Sequence, residues 1–588
     1  MANIMNDILY NKRNNDVLFD KMIEKIDLEK IQNYTPMYDI FFNLTEKNYK
    51  HVNLNHQWSM NTIGENEILN DKNIIKCNIK NTSNYKTKDT NVFIKLAPLL
   101  DPYKYLSGKY IDSDISNLPS IENNTNVHKK ILNKNNSSYI DNLFYFLISR
   151  LFNHGFVHGI SYYGSFLAIK KNYKIDVIDD LEYLVSKNFF KKQKGILFDI
   201  DDYSHICIDT KQNIKPLNIC NDILFTNIGE EEIDNNIFDD VFNDNSINNS
   251  ESIEEVHQLS NTIDDEITLK PKNNMMSDSE ESESDVSESD VSESDSDSTD
   301  SSYSTLEEDV IYATIKKFPV QLICMDNCEE TFHSLIISNT LSSDEWFSAF
   351  MQIIMTLITY NDLFSFTHND LHTNNIMYVK TSKQYLIYLY KGVYYRVPTF
   401  GRIYKIIDFG RSIYKFNDHL FCSDSYDKKG DASSQYNTEP FFNEKKMRVD
   451  PNPSFDLCRL GCSIIDYMFD SVTEFEDINS LNSLERIIIE WCTDDSGQNV
   501  MYTKSGNERY HDFDLYKMIA RTVHNHTPIN QLNKLEFKKY IVQENTAQKY
   551  LNNSKKNYIF VSIDKLKNTK NEIKTNPHTI LSEIAKYV

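Results

Sequence analysis

The sequence predicts an α+β fold, with a strand-rich first part that gives way to a helical second part. Three observations carry this. Stretches such as 91–96 and 318–325 are short, apolar and bounded by polar turns, as strands are. The apolar run from Trp346 to Ile358 has helical length and spacing, and Ser342, Ser343, Asp344 and Glu345 ahead of it form a capping-type pattern. Directly after that helix, the loop Thr367 to Met377 places a carboxylate, Asp370, five residues before an amide, Asn375. A second carboxylate, Asp408, follows downstream, two residues before Gly410.

At 588 residues, with 40% hydrophobic and 12% aromatic content, the chain can bury a large core and is too long for one simple domain. A net charge of −24 argues against a general nucleic-acid-binding surface, so no nucleic-acid partner is expected. The charge is uneven: residues 277–309 hold 14 Asp and Glu and no Lys or Arg, which leaves the rest only mildly acidic. Nine cysteines lack CxxC-type spacing with partner histidines. Pairs such as Cys324/Cys328 and Cys458/Cys462 therefore read as buried, reduced thiols rather than zinc ligands. The N-terminus has neither a basic nor an apolar signal region, and no apolar run reaches membrane-spanning length. A soluble, intracellular protein without a membrane partner is expected.

Taken in order, residues 1–72 read as an N-terminal extension, and 73–170 as the first part of the strand-rich region. Within it Val92, Phe93, Ile94 and Lys95 end an apolar strand in a cation. A lysine on a rigid strand suits pairing with a phosphate; the plain alternative is a solvent lysine at a strand end. Residues 139–152 have helical spacing after Ser137 and Ser138, which read as caps, and Asp141 is the only early acid on that helix. Residues 158–169 read as a further strand. Residues 171–311 are an insertion. Its segment 228–309, acidic and rich in Asn and Ser, has too few apolar groups to offset ordering entropy and is expected to be disordered. Residues 312–330 supply the last strand and a hinge, 331–530 the helical part, and 531–588 a Lys-rich tail in which a helix is expected at 579–588.

In the spacing His368-x-Asp370-x4-Asn375, Asp370 would accept or orient a substrate hydroxyl. Asn375 and Asp408 would hold Mg²⁺ against nucleotide phosphates, His368 reads as structural, and Gly410 would permit the backbone turn. With Asp408-Phe409-Gly410 and the helix Ser454 to Ile465, which carries Asp456 five residues before Gly461, these residues resemble the protein-kinase-like superfamily. The loop and the approach Tyr394 to Gly401 resemble kinase-like proteins of giant nucleocytoplasmic DNA viruses. The resemblance covers about 73–170 and 312–530, most specifically 367–412 and 453–466. It implies a bilobal fold, with a small β-rich N-lobe and a helical C-lobe, interrupted by the insertion. It also implies ATP and Mg²⁺ as cofactors and phosphoryl transfer to serine or threonine of a protein substrate, in a host cytoplasm or a virion. Lys95 would pair the phosphates, Asp141 would pair Lys95, and Asp456 would brace the catalytic-loop backbone.

The chain departs from the family pattern in several places. Gly64 is the only glycine before the lysine strand, so no glycine-rich loop precedes it. Asp141 stands where kinases carry Glu. Asn369 stands where regulated kinases carry Arg, which disfavours switching by an activation-loop phosphate. No A-P-E follows, only Thr438-Glu439-Pro440. The long gap from Asn375 to Asp408 reads as an inserted hairpin around Lys391 and Gly392. Two other readings stay open: a catalytically weak pseudokinase serving as a scaffold or virion component, and a small-molecule kinase suggested by Asp370-Leu371-His372.

Overall fold

Apolar alternation in the first part of the chain resolves into one antiparallel sheet. The computed structural model describes residues 8–110, 115–204, 310–338, 340–475, 477–552 and 557–567, all within one unit built from 1–206 and 309–588. The fold is mixed α+β. Six strands, β1 (Leu28–Gln32), β2 (Trp58–Ile63), β3 (Ile74–Asn81), β4 (Thr87–Pro98), β5 (Tyr162–Asp176) and β6 (Tyr312–Asp326), lie in the order β1-β5-β6-β4-β3-β2. A short seventh, Phe198–Ile200, pairs with the outer part of β6. On β4, Val92 and Ile94 are fully buried, so the two-residue period turns Lys95 to the other face.

The sheet starts before residue 73, where the hydrophobic pattern puts its beginning. In β2 the register shifts between Met60 and Thr62, and in β1 between Leu28 and Lys30. Such a bulge breaks the period-two alternation by which a strand is recognised. β5 and β6 form a long ribbon with Asp176 opposite Tyr312 at its outer end. The inserted residues leave from that end, beginning with short helices at Leu181–Ser186 and Asn188–Gln193. The acidic segment 228–309 and the tail helix expected at 579–588 lie outside the described residues.

Helix α1 (Ser137–Asn153) is apolar almost all round and buried from Ser138 to Ser149, as a helix inside a core must be. Its cap is Asn136, whose side chain accepts the Ser138 N–H, so Ser137 and Ser138 lie inside the helix rather than capping it. Helix α2 (Ser343–Phe364) starts on the Ser342/Glu345 capping box that its sequence predicts. The Phe144 ring of α1 stacks on Phe366 at 4.4 Å and meets Phe409 at 4.7 Å, Tyr360 at 5.3 Å and Phe364 at 5.4 Å. One aromatic cluster thus joins α1, α2 and the two loops that carry the candidate chemistry.

After α2, β7 (Ile376–Lys380) pairs with β10 (Arg402–Ile406), and the expected hairpin, β8 (Tyr385–Tyr390) and β9 (Val393–Pro398), stands between them. Its turn residues Lys391 and Gly392 have φ of 49° and 74°, the positive pair that a two-residue turn needs. The tail adds β11 (Ile541–Val542) beside β9 and β12 (Tyr558–Ser562) parallel to β8. The Asp564 carboxylate then accepts both turn N–H groups, at 2.7 and 2.9 Å. Helices α3 (Ser454–Cys462) and α4 (Phe513–Thr522) complete the part of the fold that frames the site. The described cysteines, Cys77, Cys324, Cys328, Cys422, Cys458, Cys462 and Cys492, are all buried free thiols. No helix among the described residues is long and apolar enough to cross a membrane.

Candidate active site

The face of β4 that does not enter the core presents Lys95 to two carboxylates. Its Nζ lies 2.7 Å from Asp141 Oδ2 and 2.9 Å from Asp408 Oδ1. Asp141 comes from the first half of α1, and Asp408 from the turn after β10. One helical turn beyond Asp141, the Tyr145 ring lies 5.7 Å from the Lys95 ammonium, and its hydroxyl accepts the Asp408 N–H at 2.9 Å. Asp141 Oδ1 accepts the Phe409 N–H at 2.7 Å. Helix α1 therefore fixes both the lysine and the backbone of the Asp408 turn.

The charges in this group are set by burial against mutual attraction. Asp141 is 2% exposed, and loss of water raises its carboxyl to about 6 although Lys95 pulls the other way. Asp408 is 49% exposed; partial desolvation works to raise it, and the Lys95 ammonium outweighs this and holds it at about 2. Burial works to lower Lys95, but the two carboxylates outweigh burial and lift it well above the ordinary lysine value. At neutral pH the group is one cation between two anions, a net negative charge open to solvent on the Asp408 side.

A second group surrounds Asp370. The buried carboxylate of Asp456, in the first turn of α3, accepts the N–H groups of His368 and Asn369, each at 2.9 Å. Asn369 adopts φ 65°; its Nδ2 donates to the Arg411 carbonyl at 3.0 Å and its Oδ1 accepts the Tyr436 hydroxyl at 2.8 Å. Asn375 Nδ2 faces the Asp370 carbonyl at 2.9 Å and His372 Nε2 at 3.0 Å, so Oδ1 is the atom left to meet a cation. The two groups are tied through one residue. His368 Nε2 donates to the Ile407 carbonyl at 2.8 Å, and the Ile407 N–H donates to the Asn375 carbonyl at 2.9 Å.

Lys95, Asp141 and Asp408 thus form one ion-paired cluster, and His368, Asp370, Asn375 and Asp456 a hydrogen-bonded loop beside it. Gly410 differs from expectation. The left-handed residue in this turn is Asp408, at φ 62°, and Gly410 is absent from the positive-φ positions. A Cβ on Gly410 would meet only ordinary contacts, Asp408 Oδ1 at 3.5 Å and the Ser137 carbonyl at 4.0 Å. The turn is held by the α1 contacts and does not need a glycine there.

Three participants carry no motif. Tyr145 reads as core in an apolar helix, although its i+4 spacing from Asp141 puts it on the same helix face. Arg411 Nη1 lies 3.6 Å from Asp370 Oδ1, and its Nη2 pairs with Asp431 at 2.8 Å. Tyr516 donates to Asp370 Oδ1 at 2.8 Å from 146 residues away in sequence. A further tie runs from the segment after Gly410 back to α1: Asp424 accepts Lys130 Nζ at 2.8 Å and the Ser137 N–H at 3.0 Å.

The donor set fits a hard divalent cation shared with a ligand. Among the described residues no group of three or more His, Cys, Asp or Glu could hold a metal alone. A cation at Asp408 and Asn375 Oδ1 would therefore take the rest of its shell from water or from a bound ligand, as Mg²⁺ usually does. No protein-family model matches the chain, and no curated protein matches it.

Proposed function

We propose that the chain is a bilobal, kinase-like phosphotransferase that moves the γ-phosphoryl group of ATP to serine or threonine of a protein. The observation that carries this is the Lys95–Asp141–Asp408 ion group, joined through Ile407 to the loop of Asp370 and Asn375. The position of Lys95 on an interior strand of the sheet, with an acid-bearing helix after it and a helical second part, supports the lobe arrangement. Mg²⁺–ATP, when bound, supplies the phosphoryl donor with its charge partly neutralised. Asp408 and Asn375 Oδ1 would hold the cation, and Lys95 would lie against the phosphates. Asp370 orients the acceptor hydroxyl and takes up its proton. Catalysis of this kind is positioning and charge stabilisation more than covalent work by the protein.

One observation favours the scaffold reading. The β2–β3 connection, residues 64–73, has Gly64 as its only glycine and carries Glu65, Glu67 and Asp71 against Lys72. That is a poor phosphate cradle, since such cradles are built from backbone N–H groups at glycines. Incubation of the purified chain with γ-labelled ATP and a mixed protein substrate separates the two. Mg²⁺-dependent label on serine or threonine, lost with EDTA, is expected. Failure to see either label or an ATP-dependent rise in melting temperature would leave the scaffold reading.

Transfer is also expected to fall as the pH drops through about 6, because a proton on Asp141 breaks its pair with Lys95. Folding responds with the opposite sign. Between the ordinary 3.8 and about 6 the native chain is the better proton binder at Asp141. The stability this group contributes is therefore fully present below that window and is lost as the pH rises through about 6. Asp408, held at about 2, contributes stability above its ordinary value that is lost only as the pH falls toward about 2. The acidic limb of the rate profile should therefore appear without a matching loss of fold. Asp141→Asn should remove that limb; if the limb persists in the variant, it belongs to another group.

A further inference from the structure

Asp370 does not stand alone at the acceptor side of the site. We propose that Tyr516, resting on the phosphotransfer reading above, is a positioning residue: its hydroxyl clamps Oδ1 of Asp370 so that Oδ2 alone faces the acceptor hydroxyl. The contact is a 2.8 Å hydrogen bond from the phenol to Oδ1. Arg411 approaches the same oxygen at 3.6 Å. Among the described residues the hydrogen bond to this carboxylate falls on Oδ1, and none falls on Oδ2.

The phenol is built into its place. Its ring stacks on Phe513 at 5.3 Å with an interplanar angle of 18° and meets Phe455 of α3 at 6.1 Å. The guanidinium of Arg459, also on α3, lies 5.0 Å from the ring centroid, and that of Arg411 lies 5.7 Å away. Arg411 is in turn fixed by Asp431. Two rings and two cations thus pack against the phenol ring and fix where its hydroxyl sits. A carboxylate left to rotate about χ2 would present either oxygen; one bonded through Oδ1 to a fixed donor presents the other in a constant direction. Constant direction toward the acceptor is worth rate, because misplacement by a fraction of an ångström is costly in an in-line transfer. A mobile plug, the competing role for a hydroxyl on a catalytic carboxylate, would not need four ring partners.

Helix α3 gains a second purpose from this. Its Asp456 holds the backbone of His368 and Asn369, while its Phe455 and Arg459 hold the phenol that holds the Asp370 side chain. Main chain and side chain of the loop are thus aimed from one helix.

Tyr516→Phe in the full chain removes the hydroxyl and keeps the ring contacts, so the melting temperature serves as the control for fold. The expected result is a fall in kcat of about tenfold, with KM for ATP and the melting temperature unchanged. Introduced into the Asp370→Asn background, the same change should cost less than twofold, because the phenol acts only through the carboxylate. Faster turnover by Tyr516→Phe would overturn the proposal in favour of a plug. An equal loss in both backgrounds would overturn it in favour of a structural role, and parity with an active wild type would make the phenol a spectator. A wild type with no Mg²⁺-dependent transfer fails at the underlying reading and takes the proposal with it.

Discussion

Asp408→Ala is expected to lower Mg²⁺-dependent phosphoryl transfer on the order of a thousandfold, at the level seen for loss of a principal electrostatic group. The carboxylate is half exposed, so little packing is lost, and the stability cost should be about 1–2 kcal/mol, set mainly by placing alanine at the left-handed φ of 62° that aspartate tolerates better. What changes is charge. With Asp408 gone, Lys95 and Asp141 neutralise one another, and the site loses the net negative charge that draws a cation. Asn375 Oδ1 is neutral and cannot replace it. Labelled-phosphate transfer measured beside a melting curve checks both halves of the expectation. Unchanged transfer in the variant would show that the cation site lies elsewhere.

Asp456→Ala should show the reverse balance, with a large loss of stability and a loss of rate that follows from it. The wild-type carboxylate is 2% exposed and accepts two main-chain N–H groups at 2.9 Å. Alanine would leave both donors buried without partners, at a cost of about 2–5 kcal/mol. Asp456→Asn keeps one acceptor oxygen and turns an amide N–H toward the other donor, so it should fall between wild type and alanine. Urea denaturation of the three proteins reads the order directly. If alanine matches wild type, the loop of Asp370 is held by something other than α3.

The sequence shows most where the chemistry is local. Asp370 and Asn375 lie in one loop and Asp408 follows a short strand, so local spacing singles them out; Lys95 reads as the end of its strand, but β4 runs on to Pro98 and carries it in its interior. Contacts made across the fold leave no such mark. Nothing near Tyr516 marks it as a partner of Asp370, because the pair meets only after α3 and α4 have packed. Tyr145 is hidden for another reason, since a tyrosine in an apolar helix looks like core whether or not its hydroxyl does something. Gly410 misleads in the opposite direction. A glycine at a turn invites the expectation that it carries the positive φ, yet here the strained residue is Asp408, of a type that tolerates that region better than most. The early strands escape because bulges in β1 and β2 shift their apolar residues out of step.

The parallel partner of β8 comes from residues 558–562, and the carboxylate that closes the hairpin turn is Asp564. During synthesis the hairpin therefore emerges long before the strand that completes its sheet. At ordinary elongation rates of about 5–20 residues per second, the exposed edge of β8 waits on the order of ten to thirty seconds for its partner. Through that interval β8, paired with β9 on one side only, presents an open edge rich in tyrosine and leucine with which a neighbouring nascent chain can pair.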